Sequence, residues 1–348
     1  WAVFLLISFF YGLGWLVSMG MAGGILLEAL TGIHYHVGML TILLVCVGYT
    51  LLGGLSAVIG TDFIQSLIIM VGLVVVGVAA FSRLPVEEVH QHLSENRPGL
   101  LNLLMPASLM FLFNNLLFGV GEIFHSNVWW SRAFAFRKGT GFRAFFVAGL
   151  LWLPVPVAAG AIALAAPALG INVPKLDMVG PIAVGHVLGT AGAVVLLIVV
   201  FSSLASSLDS LLAATSDLLV EDVYRSLYRP QATGRELRWA ARGIILVLGV
   251  LAIVLCWLRL STLGEMIQLT GAFVASTIWP IAAGLYWKNT NRHAATLAMI
   301  VGPAAGLCAY FLIGFFTAAL VGAAVSMLCV LAGTLVAPQS FDWEHLRA

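Results

Sequence analysis

Long apolar stretches recur along the whole chain, and they constrain its fold more than any other feature. A helix needs about 20 consecutive apolar residues to cross the hydrocarbon core of a bilayer. Since only helices and closed barrels satisfy their backbone groups in lipid, we expect an all-α, polytopic membrane protein with about ten transmembrane helices. The predicted spans are 1–31, 36–56, 60–82, 107–131, 142–168, 187–224, 235–258, 263–287, 293–314 and 316–337.

Charged residues are too scarce to cover a water-soluble particle. They make up 9% of the 348 residues, whereas soluble domains carry about 25%. The net charge is +1, and no basic patch with interleaved aromatic residues indicates nucleic-acid binding. No metalloprotease, nucleotide-binding or intramembrane-protease motif is present, so we predict neither an enzyme nor a bound cofactor. The partner that composition does indicate is the lipid bilayer.

The basic residues predict an orientation. If residue 1 lies in the cytoplasm, twelve of the 16 lysine and arginine residues fall on the inside, Arg347 among them, and the positive-inside rule is satisfied. We therefore expect the chain in the cell (inner) membrane with residue 1 and the C-terminus cytoplasmic. Because Trp1 already lies in an apolar stretch, we also expect residues 1–348 to be one transmembrane domain from a longer protein.

Acidic residues occur inside or at the ends of the predicted spans. Asp62, Glu122 and Asp209 have no lysine or arginine at the centre of a span to neutralise them. An ionisable group at membrane depth costs a few kcal/mol and usually faces a water-filled path or a partner. These three acids predict a cation pathway in the cytoplasmic half of the membrane. The alternative is that they lie near span ends and are simply hydrated.

The span 187–224 is unusually rich in hydroxyl groups. Ser202, Ser206, Asp209 and Ser210 share one helical face, and their oxygens are suited to a hard cation such as sodium. The alternative is helix packing, with each serine bonded to the carbonyl four residues earlier. We favour an ion site, with Ser206 among its ligands.

Three segments, taken together, resemble the sodium:solute symporter family, which contains sugar, proline, pantothenate and urea carriers. Ser202–Ser210 followed by Glu221-Asp222-Val223-Tyr224 resembles the signature helix of the family. Tyr49–Val58 followed by Thr61-Asp62-Phe63-Ile64-Gln65 resembles a second motif. Gly284-Leu285-Tyr286-Trp287-Lys288 is similar to a third. The matches run over nearly the whole chain in the family's order.

The resemblance implies the LeuT-type fold, an inverted-repeat bundle whose core helices 1 and 6 are broken. On this interpretation the spans are core helices 3–10 plus two peripheral helices, and the bundle lacks core helices 1 and 2. The resemblance also implies sodium ligation by Ser202 and Ser203, with the carbonyl ligands of helix 1 having no counterpart here. Asp62 matches a family aspartate on the inner sodium route.

Candidate solute contacts flank the glycines that interrupt two predicted spans. Gly119 and Gly121 interrupt the helix that the resemblance identifies as broken helix 6, and Gly271 and Pro280 interrupt span 263–287. Glycine in a membrane helix serves either close packing or a break that exposes backbone groups to substrate. The predicted solute-binding residues are Asn114, Asn115, Gly119, Gly121, His125, Gln268 and Thr270. For His125 a packing role is the alternative.

The sequence thus predicts sodium-coupled symport of a small polar organic solute by alternating access. Residues 129–135 and the tail 341–344 look like the urea-type carriers, although those carriers have an acid near the position of His125. Urea, an amino acid or another organic solute therefore all stay open. Two alternatives are a proton-coupled carrier that uses Asp209 or Glu122, and a transporter-like membrane sensor domain.

Overall fold

The computed structural model describes residues 1–259 and 261–340, without the side chains of 54–57. The tail 341–344, Arg347 and part of the motif 49–58 therefore lie outside what is described. Within the described part of the chain, regular structure is entirely helical. The α-helices are α1 (Ala2–Thr31), α2 (Tyr35–Phe81), α3 (Val86–Asn96), α4 (Pro106–His125), α5 (Asn127–Ala135), α6 (Gly141–Trp152), α7 (Pro154–Ala165), α8 (Val179–Leu218), α9 (Gly234–Leu258), α10 (Leu263–Ala275), α11 (Ile278–Tyr286), α12 (Arg292–Leu312) and α13 (Ala318–Val336).

The expected number of membrane crossings is confirmed. Among the described residues, ten helical segments are long and apolar enough to span a bilayer. Their limits differ from the predicted ones by a few residues in most cases, as in Pro106–His125 for 107–131. The largest difference is at Leu176–Tyr228, where helical structure extends beyond 187–224 at both ends. The protein is an all-α, multi-pass membrane protein.

The predicted spans 36–56 and 60–82 correspond to the candidate spans Tyr35–Gly53 and Val58–Phe81, with no break in helical structure between them. Both belong to α2, a single helix of 47 residues. At about 1.5 Å per residue the path along its axis is roughly 70 Å, more than twice the thickness of the hydrocarbon core. The segment between the two spans, 57–59, contains no proline, so the backbone hydrogen bonds of the helix can continue through it.

The expected helix breaks at Gly119, Gly121, Gly271 and Pro280 are wrong as well. α4 runs through both of its glycines and ends at His125, where Ser126 has an extended ψ of 125°. α10 runs through Gly271 and ends at Ala275. Pro280 lies in the first turn of α11, where a missing N–H has no intrahelical partner to lose.

Hydroxyl side chains mark the break between α10 and α11. Ser276 donates to the Ala272 carbonyl (2.6 Å), and Thr277 donates to the Val274 carbonyl (2.8 Å). Carbonyls at a helix end lack amide partners, and these side chains supply the missing donors. The predicted span 142–168 is also interrupted, since α6 ends at Trp152 and α7 starts at Pro154.

Gly189 interrupts the long helix α8. Its φ of 67° and ψ of −163° lie in a region that glycine alone occupies readily. The backbone therefore changes direction there between two helical stretches, one before and one after this glycine. After Leu218 the chain continues as a π-helical segment, Leu219–Tyr228.

The chain packs as two compact units. Unit 1 comprises 1–15, 103–130 and the residues from Gly264 onward, and unit 2 comprises 16–102 and 131–263. Each has its own apolar core, built around Phe118 and Val274 in unit 1 and around Ala80 and Ala183 in unit 2. In unit 2, α2 packs along α8. The expectation of a single transmembrane domain stays a prediction.

Candidate functional site

A polar cluster around Asp62 lies in unit 2, between α2 and α8. The Arg132 guanidinium, carried by α5, donates to Asp62 Oδ2 at 2.9 Å. Ser206 donates to Asp62 Oδ1, and Ser210 lies 3.3 Å from Oδ2. Arg132 also donates to the Ser210 hydroxyl at 2.7 Å. The expectation that the membrane acids lack basic partners is therefore wrong for Asp62.

Asp209 lies in the same unit but has a different environment. Its side chain is fully buried, and Oδ2 accepts hydrogen bonds from the Tyr49 hydroxyl (2.7 Å) and from Thr61 (3.3 Å). Oδ1 accepts no hydrogen bond from any described residue. The ion pairs found among the described residues do not include Asp209. Two neutral hydroxyls thus face a buried carboxyl group.

The hydroxyls of α8 divide between the two predicted roles. Ser206 and Ser210, four residues apart, both reach Asp62 and so share one face of the helix, while the role of Ser206 as a sodium ligand stays a prediction. Ser207 instead donates to the Ser203 carbonyl at 3.1 Å, which is the packing alternative. Ser202 and Ser203 are half-buried, and their role as sodium ligands stays a prediction.

Three residues of these clusters were not predicted as site residues. Tyr49 and Thr61 stand in the quoted motif beside Asp62, so the motif contained a signal for them. Arg132 follows the predicted span 107–131, and nothing in its spacing connects it with Asp62, 70 residues earlier in the chain. Its contact depends on the placement of α5, which local sequence patterns do not give.

Three of the predicted solute contacts form one amide network in unit 1. Asn114 donates to Gln268 Oε1 (2.6 Å), and Gln268 donates to Asn115 Oδ1 (2.8 Å). Asn114 Oδ1 also accepts from the backbone amides of Ala319 (2.9 Å) and Leu320 (3.2 Å) at the start of α13. Asn114 is buried and held by the fold, whereas Asn115 is half-buried.

The other predicted contacts on α4 and α10 differ in their surroundings. A Cβ built on Gly121 would lie 2.5 Å from the Val274 carbonyl oxygen, so this glycine permits close helix packing. A Cβ on Gly119 would meet nothing within 4 Å. Thr270 donates to the Ile267 carbonyl at 2.7 Å. Packing or local bonding accounts for Gly121 and Thr270, and Gly119 faces open space.

His125 and Glu122 lie near the C-terminal end of α4. His125 is 1% exposed, and its Nε2 is 2.9 Å from the Ser8 hydroxyl. Its Nδ1 has no hydrogen-bond partner among the described residues. Glu122 accepts from the Trp129 indole at 3.4 Å. Glu122 thus belongs to unit 1, whereas Asp62 and Asp209 belong to unit 2, and its place on a common cation pathway stays a prediction.

Comparison with known proteins identifies the family. The model of the sodium:solute symporter family matches residues 2–302. The chain belongs to the sodium:solute symporter family. The resemblance drawn from residues 49–65, 202–224 and 284–288 is thereby confirmed.

Symporters of known name are similar over most of the chain. The urea–proton symporter DUR3 of Oryza sativa subsp. japonica is 27% identical, over 94% of this chain and 53% of its own length. The osmoregulated proline transporter OpuE of Bacillus subtilis is 32% identical, over 82% of this chain and 60% of its own length. The chain therefore spans between about half and three fifths of the length of these relatives.

A solved structure has the same fold. The substrate-bound, outward-open structure of a Na⁺-coupled sialic acid symporter superimposes with a TM-score of 0.76, over 98% of this chain and 75% of the other. The sequence identity is 18%, so the likeness concerns the fold alone. The prediction that the present chain has the LeuT-type fold is thereby confirmed.

Proposed function

We propose that the chain is part of a secondary active transporter that couples sodium entry to uptake of a small polar organic solute. The observation that carries this proposal is the cluster in unit 2, where α8 presents Ser206 and Ser210 to Asp62. Carboxylate and hydroxyl oxygens are hard ligands that suit sodium. Acidic groups at membrane depth usually line a path for a cation. We further propose the cell (inner) membrane as its location, with residue 1 in the cytoplasm.

In this proposal Arg132 competes with the transported ion for Asp62. The guanidinium and two hydroxyls already occupy the carboxylate, so a sodium ion passing from Ser202 and Ser203 would have to replace one of these donors. The side chains of Arg132 and Asp62 are 31% and 21% exposed, which leaves the pair accessible to a hydrated ion. The exchange would let Asp62 bind the ion transiently without trapping it.

The amide network of unit 1 supports a polar, uncharged recognition surface for the solute. Gln268 and Asn115 offer neutral donors and acceptors, and Asn114 holds Gln268 in place. Such groups suit urea or the amide-like and carboxylate groups of an amino acid. The named relatives include a urea carrier and a proline carrier, which fits the same range.

A proton-coupled carrier is the second candidate function, and Asp209 favours it. A buried carboxyl group with an unpartnered oxygen is stabilised by taking up either a cation or a proton. The rice relative is named as a urea–proton symporter.

The test is uptake of labelled urea and proline by the reconstituted protein in proteoliposomes. An inward sodium gradient should drive uptake, and Ser202→Ala and Ser203→Ala should each raise the half-saturating sodium concentration about tenfold, equivalent to about 1.4 kcal/mol. Ser207→Ala is the matched control, because its hydroxyl bonds to its own helix. Uptake that does not depend on sodium but is driven by a pH gradient would select the proton-coupled alternative.

A further inference from the structure

Three arginines and a tryptophan line one side of α9 over its first turns, outside the sites described above. They are Arg235, Arg238, Trp239 and Arg242, and we call them the arginine face. The last three follow the first by three, four and seven residues, so all four fall within about 100° of arc around the helix axis. All are exposed, and the Arg242 guanidinium lies 5.1 Å from the centroid of the Trp239 ring. The arginine face belongs to unit 2.

Among the described residues, no acidic side chain forms an ion pair with the arginine face. The ion pairs there involve Arg132, Arg225 and Arg259, and none of the three arginines of this face. Glu236, the acid nearest in sequence, is engaged at the start of the helix. Its carboxylate accepts from the Thr233 amide at 2.8 Å, and the Thr233 hydroxyl accepts from the Glu236 amide. The helix end is therefore already capped, and the arginine face presents its positive charge through side chains alone.

The same side of α9 continues as an exposed apolar surface. Leu246, Val250 and Trp257 point within about 80° of the direction of Arg242 and are 50%, 58% and 51% exposed. All lie in the candidate membrane span Gly234–Leu258. One side of the helix thus passes from charged and aromatic residues to mainly aliphatic ones, in the order in which a phospholipid passes from headgroup to acyl chains. An acidic peptide or a nucleic acid matches the charge but not the apolar continuation.

We propose that the arginine face binds the headgroup phosphate of an anionic glycerophospholipid, with the acyl chains along Leu246 and Val250. A guanidinium fork matches two oxygens of one phosphate. Arg238 and Arg242 are four residues apart, so both can contact the same phosphate. The Trp239 ring holds the Arg242 guanidinium in place, which lowers the cost of ordering it on binding. A zwitterionic headgroup brings a cation of its own to the arginines, so an anionic lipid is preferred. The inference requires only that α9 enter the bilayer at this end, and it depends on neither the transported solute nor the orientation.

Native mass spectrometry of the purified chain in detergent tests the proposal, with phosphatidylglycerol and phosphatidylcholine of equal chain length as probes. Phosphatidylglycerol should bind more tightly, and Arg238→Gln/Arg242→Gln should weaken its binding about tenfold, towards that of phosphatidylcholine. Arg137→Gln/Arg143→Gln is the matched control, because it removes the same charge from exposed residues before and in the first turn of α6. Equal loss in the control, unchanged binding in Arg238→Gln/Arg242→Gln, or displacement of the lipid by an equal concentration of inorganic phosphate would overturn the proposal.

Fluorescence of the chain in nanodiscs supplies a local measurement, because the Trp239 side chain is 61% exposed. Phosphatidylglycerol with bromine near the headgroup end of its acyl chains should quench Trp239 more than the corresponding phosphatidylcholine at the same molar fraction. The excess quenching should disappear in Trp239→Phe, and most of it should disappear in Arg238→Gln/Arg242→Gln. Equal quenching by the two lipids in the unchanged chain would contradict the preference for an anionic headgroup. Excess quenching that persists in Trp239→Phe would show that the anionic lipid binds elsewhere.

Discussion

Two aspartates in the same unit have opposite surroundings, although the sequence suggests one role for both. Asp62 is paired with a guanidinium and two hydroxyls and is partly exposed. Asp209 is fully buried with two hydroxyl donors on one oxygen. A paired, accessible carboxylate suits transient binding of a hydrated ion, whereas a buried and half-satisfied one suits a proton or a tightly held cation.

The effect of replacing Asp209 can be predicted from its hydrogen bonds. Asp209→Asn keeps an amide oxygen for Tyr49 and Thr61, so the free energy of unfolding should change by less than about 1 kcal/mol. Asp209→Ala leaves both hydroxyls without this acceptor and should cost about 2 kcal/mol or more. Thermal unfolding in detergent measures both.

Transport separates the two possible roles of Asp209. If a proton on this residue couples to the solute, Asp209→Asn abolishes pH-driven uptake. If sodium is the coupling ion and passes by way of Asp62 without binding Asp209, sodium-driven uptake persists in the same variant. An asparagine variant as unstable as the alanine variant would contradict the hydrogen-bond argument.

At the residue scale the sequence predicted which residues form the polar cluster around Asp62 better than it predicted their contacts. The sequence motif that contains Asp62 and the helical spacing of Ser206 indicated that both residues belong to the same candidate site. The sequence could not decide which neighbour Asp209 faces and which neighbour Ser210 faces, because adjacent residues of a helix point about 100° apart. The Arg132 contact was not predictable, since it depends on how α5 packs.

Hydroxyl residues, and not glycines, stand at two of the helix breaks. Ser126, Ser276 and Thr277 stand at the two breaks in α4–α5 and α10–α11. Glycine lowers helix propensity but keeps its backbone N–H donor. Packing against neighbouring helices can therefore maintain α4 and α10 as helices across their glycines. The number and approximate limits of the spans were predictable because apolar length is a local property. The positions of the breaks depend on neighbouring helices.

Two glycines on α4 should respond differently to alanine. Gly121→Ala places a Cβ against the Val274 backbone, which cannot yield as a flexible side chain can, and should cost about 1–3 kcal/mol. Gly119→Ala meets open space and should be neutral or stabilising by up to about 1 kcal/mol. Melting temperatures of the two variants in one detergent provide the comparison. Equal destabilisation of both would indicate that α4 breaks at this point after all.

At the scale of the molecule, the candidate residues separate by unit. Ser202, Ser203, Ser206, Asp62 and Asp209 belong to unit 2. Glu122 and the predicted solute contacts belong to unit 1. α1, α5 and α10 each contain residues of both units.

The predicted orientation can be tested by single-cysteine labelling. Ser94 on α3 and Thr140 before α6 are both exposed and lie on opposite sides of the membrane if residue 1 is cytoplasmic. After replacement of the native cysteines, Ser94→Cys should react with a membrane-impermeant maleimide in intact cells. Thr140→Cys should react only after permeabilisation. The reverse pattern would invert the orientation.

The shared acceptor at Asp209 has a geometric consequence for α2. Tyr49 and Thr61 donate to the same oxygen at 2.7 Å and 3.3 Å, so their hydroxyl oxygens are no more than about 6 Å apart. The two side chains together reach about 9 Å from their Cα atoms. A straight helix would separate those Cα atoms by about 18 Å, which exceeds the roughly 15 Å available. The axis of α2 must therefore bend between Tyr49 and Thr61, and the Asp209 carboxyl group lies on the inner side of this bend.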